Sequence, residues 1–369
     1  MLGAVAPPRD YWPTQGWRAA PPEAHGVHAD LPGHLRAFGE DADSKLNGIV
    51  VVRHGYLVCE EYFGPFHAGS LHTVASVTKS VVSLLTGIAL GNGLLRLDQP
   101  VEDWFPEIVD LDVDPRIREI QLRHLLSMTG GWAQDAYDLD WFTTRPSPVT
   151  DALQRPIAHE PGATFWYDNL GAHLVAVLLS RAASTSTAEF ARRELLGPLG
   201  IWTDQTPRYL WRTADGGQEG GRHTWHARAV WDDETGYPWK RDRAGHTTGY
   251  GGLHLSVRDM AKLGLLCLSG GEWEGQALIP NAYLAEALQP HSRGGPPGNA
   301  AYGYFWWVRE QAPHPYAFAF GSGGQYLFVV PDMDLVVAVA SSGIGQGGRH
   351  GEVETRELVD RVVIPAVAP

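Results

Sequence analysis

Ser76 and Lys79 stand three residues apart at the start of an apolar run that continues to Leu85. In a helix that spacing puts both side chains on one face. An amine held there can take the proton of the hydroxyl, which makes a serine nucleophilic without help from histidine. The chain carries only four lysines, and this is its single Ser-x-x-Lys. Two further groups offer matching chemistry. Tyr167 and Asn169 form a Tyr-x-Asn with a helical pattern after it, a phenol and an amide on one helix-entering turn. Phe320-Gly321-Ser322-Gly323-Gly324-Gln325 leads into a strand pattern, where glycines let backbone approach a ligand and a strand edge presents N–H groups to a developing oxyanion.

These residues need elements to hold them. Residues 49–62 read as two strands joined by a tight turn at His54-Gly55. The segment 76–90 is apolar on nearly all sides and ends at Gly91-Asn92-Gly93, the pattern of a buried central helix with a glycine stop. Short helical stretches follow at 122–128, 149–154, 170–183 and 188–196, separated by Pro- and Gly-rich turns. Residues 202–246 show no clear periodicity and read as a long irregular insertion of the kind that shapes binding sites. Residues 257–269 form an amphipathic helix capped by Ser256. Alternating patterns at 302–308, 316–320, 325–330 and 335–340 predict strands, and 352–363 a last helix. Strands at both chain ends around a helical middle imply an α/β lobe of residues 1–72 and 247–369, with a helical lobe of residues 73–246 inserted in it.

Composition narrows the function classes. The chain has 369 residues, 44% of them hydrophobic and 19% charged, which is ample for a large core. A net charge of −13 argues against a nucleic-acid partner, which needs clustered Lys and Arg to neutralise phosphates. Cys59 and Cys267 lie in apolar runs and read as buried thiols, not as a disulfide. No run reaches the ~18 apolar residues of a membrane span, and the first ten residues lack the features of a secretory signal, so a cytoplasmic location is expected. Most of the 14 tryptophans suit core packing, and some are expected to line an apolar cleft.

The order Ser-x-x-Lys, then Tyr-x-Asn, then a Gly-rich strand near the C-terminus resembles the serine β-lactamase and penicillin-binding-protein superfamily. Within it the chain is similar to the class C-related branch of family VIII carboxylesterases, D-stereospecific peptidases and 6-aminohexanoate-dimer hydrolases. Supporting stretches are Leu125–Gly131, Gly249–Leu253, Arg258-Asp259-Met260 and Tyr302–Trp307. The resemblance implies an α/β (α+β) fold, an antiparallel sheet flanked by helices, with the active site between the sheet lobe and the inserted lobe. It implies Ser76 as the acyl-forming nucleophile, Lys79 as base or proton relay, and Tyr167 as proton shuttle to the leaving group. Asn169 becomes a substrate and Lys79 contact, and the backbone N–H groups of Ser76 and Gln325 become the oxyanion hole. Ser322, Gly323, Gly324 and Trp132 are expected to meet substrate. Where the family's lactamases and peptidases carry Lys-Thr-Gly or His-Thr-Gly, this chain has Ser322-Gly323-Gly324. The cation that would grip a substrate carboxylate is missing, which favours a small ester or amide hydrolysed through Ser76 over a β-lactam or a carboxy-terminal peptide. A D-stereospecific peptidase, a weak β-lactamase and a sensor or scaffold without turnover are the alternatives.

Other hydrolytic chemistries fit less well. Sixteen histidines invite a metal, and His223 and His226 have helix-compatible spacing, yet His159-Glu160 lacks the second histidine of His-Glu-x-x-His because position 163 is Ala163. A Gly-x-Ser-x-Gly nucleophile at Ser322 would need glycine where Phe320 stands. No metal, cofactor, nucleic-acid or membrane partner is expected.

Overall fold

The computed structural model describes residues 9–132, 145–201, 239–342 and 355–368. Helix α1 (Leu31–Glu40) precedes the strand pair β1 (Leu46–Arg53) and β2 (Tyr56–Tyr62). Their turn falls at His54-Gly55, both at positive φ, as the primed two-residue hairpin requires. A two-residue strand β3 (His72–Thr73) leads into α2 (Val77–Gly91). Helices α3 (Leu122–Leu126), α4 (Pro148–Leu153), α5 (Asn169–Ala183) and α6 (Thr187–Ala191) follow, the last continuing as a wide π-type turn to Leu196. Strand β4 (His254–Leu255) pairs with β3, and α7 (Val257–Leu268) starts from a reciprocal capping box between Ser256 and Asp259. The small pair β5 (Glu272–Trp273) and β6 (Gln276–Ala277) precedes α8 (Asn281–Ala287). The chain then runs through β7 (Ser292–Gly295), β8 (Ala300–Tyr302), β9 (Trp307–Arg309), β10 (Tyr316–Gly321), β11 (Gln325–Val330) and β12 (Leu335–Ser341).

Eight strands form one sheet in the order β2-β1-β12-β11-β10-β9-β8-β7, antiparallel throughout. Strand β1 pairs with β12 from Leu46↔Ser341 to Arg53↔Leu335, so the two ends of the chain close the sheet on each other. The central strands β1, β11 and β12 are buried along their whole length, which is why they read as continuous apolar runs and not as strict alternation. Helix α7 packs on β1, β11 and β12. Helix α2 runs through the interior between the sheet and α5, with residues 77–89 all buried, as its all-round apolar sequence requires.

The strand expected at 302–308 is two strands. Phe305 adopts φ +59 and its N–H donates to Leu126 O, while Gly303 N–H donates to Trp306 O, so a tight turn interrupts the aromatic run. Its aromatics carry strand propensity, but a residue in the left-handed region cannot continue a strand. Trp132, Trp239, Trp273, Trp306 and Trp307 are buried core residues. Both cysteines are free and buried, and burial pushes each thiol up to about 12. Among the described residues no helix is long and apolar enough to cross a membrane. Most of the insertion read at 202–246, with His223 and His226, lies outside the described residues.

Candidate active site

Ser76 sits at the N-terminal tip of α2, partly exposed, with Ala75 before it at φ +45. Such a conformation costs on the order of 1 kcal/mol or more and persists only when its surroundings hold it. Here the backbone turns tightly. Val77 N–H donates to Val74 O, Thr78 N–H to Ala75 O and Lys79 N–H to Ser76 O, while the Thr78 hydroxyl donates to Ala75 O at 2.6 Å. The strand before the turn is fixed by β3 pairing with β4 and by Val74 N–H donating to Leu253 O. The Ser80 hydroxyl, one turn on, donates to Phe305 O at 2.6 Å.

Lys79 is 1% exposed. Its Nζ lies 2.9 Å from Ser76 Oγ and donates to Tyr250 O at 2.8 Å. Burial holds the amine well below the ordinary lysine range, against a smaller opposing pull from the Asp168 carboxylate. A neutral amine has a lone pair, and at 2.9 Å that lone pair is within reach of the serine proton. The pair can therefore do general-base chemistry on a hydroxyl that solvent reaches.

Tyr167 stands over the same amine, with Lys79 Nζ 4.8 Å from its ring centroid. The ring stacks on Trp307 of β9 at 5.9 Å and 15°. Tyr302 meets it edge-on, and burial, with Tyr167 alongside, raises the Tyr302 phenol well above its ordinary range. Between Tyr167 and Asn169 lies Asp168, which caps α5 by accepting from Leu170 N–H and Gly171 N–H, each at 3.0 Å. Arg155 grips the same carboxylate through two bonds of 3.0 and 2.9 Å, and both side chains are buried. Asn169 is the first residue of α5 and is buried.

Trp132, expected to meet substrate, is 2% exposed and lies against Arg155, whose guanidinium carbon is 4.5 Å from the indole centroid. Gln325 opens β11, opposite Gly321 in the hairpin register, and its side-chain Nε2 donates to Ser341 O at 2.5 Å. Ser322 is exposed at the hairpin tip, and Gly323 and Gly324 are buried at φ +89 and +88. A Cβ on Gly321 would sit 2.3 Å from Val74 O and 3.1 Å from Ala75 Cβ. Only glycine lets this strand end press against the turn that carries Ser76.

The Beta-lactamase family model matches residues 36–359. The chain belongs to that family. Among relatives of this Beta-lactamase family member is Esterase EstB of Burkholderia gladioli, 28% identical over 200 residues, which are 47% of this chain and 51% of the esterase. The chain thus matches about half the length of that relative. A second is 6-aminohexanoate-dimer hydrolase of Paenarthrobacter ureafaciens, 20% identical over 326 residues, 82% of this chain and 74% of the hydrolase. Among solved structures, EstCE1, a hydrolase with promiscuous acyltransferase activity, superposes with a TM-score of 0.66 at 18% identity, covering 90% of this chain and 98% of that one. The octameric penicillin-binding protein homologue from Pyrococcus abyssi gives 0.65 at 20% identity, covering 89% and 76%. The β-lactamase-like fold, with its antiparallel sheet and flanking helices, is the expected one.

Three features of the site were not foreseen from the residues alone. The Tyr250 carbonyl that receives Lys79 is a backbone group, and backbone groups leave no residue-type signature. Asp168 stands in the capping position that precedes a helical pattern, a visible signal, but its partner Arg155 is brought in only by the fold. The third is a group of His173, Asp242 and His246 whose ligand-type atoms all lie within 4.8 Å of one another.

Proposed function

We propose that this protein is a serine hydrolase that cleaves a small ester or amide through an acyl-enzyme on Ser76. What carries the reading is the 2.9 Å approach of a fully buried amine to a partly exposed serine hydroxyl at a helix tip. Lys79, whose charged form burial disfavours, takes the proton as Ser76 Oγ attacks the substrate carbonyl carbon. The tetrahedral oxyanion that forms is received by the N–H groups of Ser76 and Gln325, each such donor being worth on the order of 3 kcal/mol. Collapse expels the alcohol or amine, which leaves with the proton relayed from Lys79 through Tyr167. Water then attacks the acyl carbon by the reverse use of the same groups, releasing the acid and restoring Ser76. Asn169, Ser322, Gly323 and Gly324 border the substrate in this reading.

A small ester or amide is favoured over a carboxylate-bearing β-lactam because Ser322 supplies no cation at the hairpin tip. The names of the esterase and amide-hydrolase relatives point the same way. The test is steady-state hydrolysis of p-nitrophenyl butyrate by the wild type and by Ser76→Ala. Turnover by the wild type and none by the folded variant is expected; equal rates would refute the assignment of Ser76.

A further inference from the structure

The segment 239–253 folds back on itself. Trp239 bridges Leu253, Arg241 bridges Thr247, Lys240 N–H donates to Gly252 O and Thr248 N–H donates to Lys240 O. Its tip turns at Asp242, whose N–H donates to His246 O. Asp242 is also the point where the segment meets the helical core. Its Oδ2 accepts from His173 Nε2 of α5 at 3.0 Å and from His246 Nδ1 at 3.1 Å, while Oδ1 accepts from His246 N–H at 2.8 Å. The side chains of His173 and Asp242 are 0% exposed, and that of His246 is 31% exposed. Beside this contact a Cβ on Gly249 would lie 2.2 Å from Ala172 O, so the segment sits directly on the α5 backbone. The next residue is Tyr250, whose ring meets His173 edge-on at 6.4 Å and whose carbonyl receives Lys79 Nζ.

We propose that the buried His173–Asp242–His246 network is a positioning device that sets the Tyr250 carbonyl and, through it, the place of the Lys79 amine beside Ser76. The inference rests on the reading of Lys79 as the base of a serine hydrolase. An amine on a flexible four-carbon stem needs a fixed acceptor to keep it on one serine, and here that acceptor belongs to a segment that this network, together with the Thr247 hydroxyl accepting from Ala188 N–H, ties to the helices beneath it. A buried carboxylate left without donors would be costly, and three donors converge on Asp242. Burial alone would push its carboxyl up, but the hydrogen bonds and charges of His173 and His246 outweigh it and hold it below the ordinary carboxylate range. The three side chains could also surround a metal ion. Both imidazoles, however, direct a ring nitrogen at the same carboxylate oxygen with hydrogen-bond geometry, which favours donors over ligands.

The experiment compares His173→Leu and His173→Gln, the glutamine amide returning one N–H near the position of Nε2. With p-nitrophenyl butyrate, His173→Leu is expected to lower kcat about 10- to 100-fold with KM within about twofold, the scale of a ~1 Å misplacement of a reacting group. His173→Gln is expected to recover most of that loss. Hydrogen exchange of residues 239–252 is expected to quicken in His173→Leu and to slow again in His173→Gln. If His173→Leu is recovered only unfolded, His246→Leu at the half-buried rim takes its place, with the same pattern expected at smaller amplitude. Unchanged kcat, a loss confined to KM, or a loss that glutamine does not restore would overturn the proposal. So would one equivalent of zinc in the wild type that His173→Leu lacks. The exchange measurement needs no turnover, so the anchoring is tested even if Ser76→Ala matches the wild type and the hydrolase reading fails.

Discussion

The Arg155–Asp168 pair is the feature whose removal should reveal most about how the site is held. The side chains are 2% and 8% exposed, and two hydrogen bonds of 3.0 and 2.9 Å join them. Arg155→Met removes the cation, leaves the stem volume roughly filled, and strands a buried carboxylate. Asp168 keeps its two N–H donors at the start of α5, so it is not wholly abandoned. Breaking one side of a buried pair typically costs ~3–5 kcal/mol, and the surviving donors place this case near the lower end. An unfolding entropy of ~2.1 cal/mol/K per residue gives ~0.8 kcal/mol/K for this length, so a loss of ~3–4 kcal/mol corresponds to a Tm lower by about 4–5 °C. Asp168 also separates Tyr167 from Asn169, and its displacement moves both. A shift near 1 Å at a reacting group costs ~10²-fold, so kcat for p-nitrophenyl butyrate should fall by about that factor. The assays are differential scanning calorimetry and steady-state kinetics on the same preparation. A Tm within 1 °C of the wild type together with unchanged kcat would refute the claim that this pair holds the Tyr167 turn.

Two further outcomes are expected. Lys79→Met should lower ester hydrolysis by ~10²-fold or more, and its stability relative to the wild type should depend on pH. Because burial lowers the folded-state value of Lys79, the unfolded chain binds the extra proton between that value and the ordinary lysine value. Wild-type stability therefore rises with pH across this window, and its deficit against Lys79→Met should be largest in acid and close as pH approaches ~10.4, read from paired urea titrations at pH 6 and pH 10. Gly321→Ala should keep the fold but push the β10 end off Val74 O, which its Cβ would approach to 2.3 Å; kcat should fall at least tenfold, whereas wild-type kinetics would mean that the hairpin and the nucleophile turn are not coupled.

Much of this arrangement is legible in residue types and spacing. Ser76 and Lys79 share a helix, so three residues of separation already put an amine beside a hydroxyl, while the apolar sequence around them leaves open whether that amine is a charge at the helix end or a buried functional group, and the fold buries it. The capping box at Ser256 and the turn at His54-Gly55 are local events of four residues or fewer, and they formed where the sequence placed them. Strands at both chain ends point to one sheet lobe, but that β1 pairs with β12, nearly three hundred positions away, is decided by the fold. Other features depend on contacts that no local pattern encodes. Residues 302–308 have the composition of one strand and break because Phe305 is pulled to Leu126 O. Trp132 lies beneath Arg155, and Arg155 finds Asp168 only when α4 and α5 pack together. The acceptor of Lys79 is a carbonyl, whose chemistry is the same at every residue, so only the folded path of 239–253 could select Tyr250. Spacing along one helix determines which groups can react, while the distances that decide whether they do are set by segments far apart in the chain.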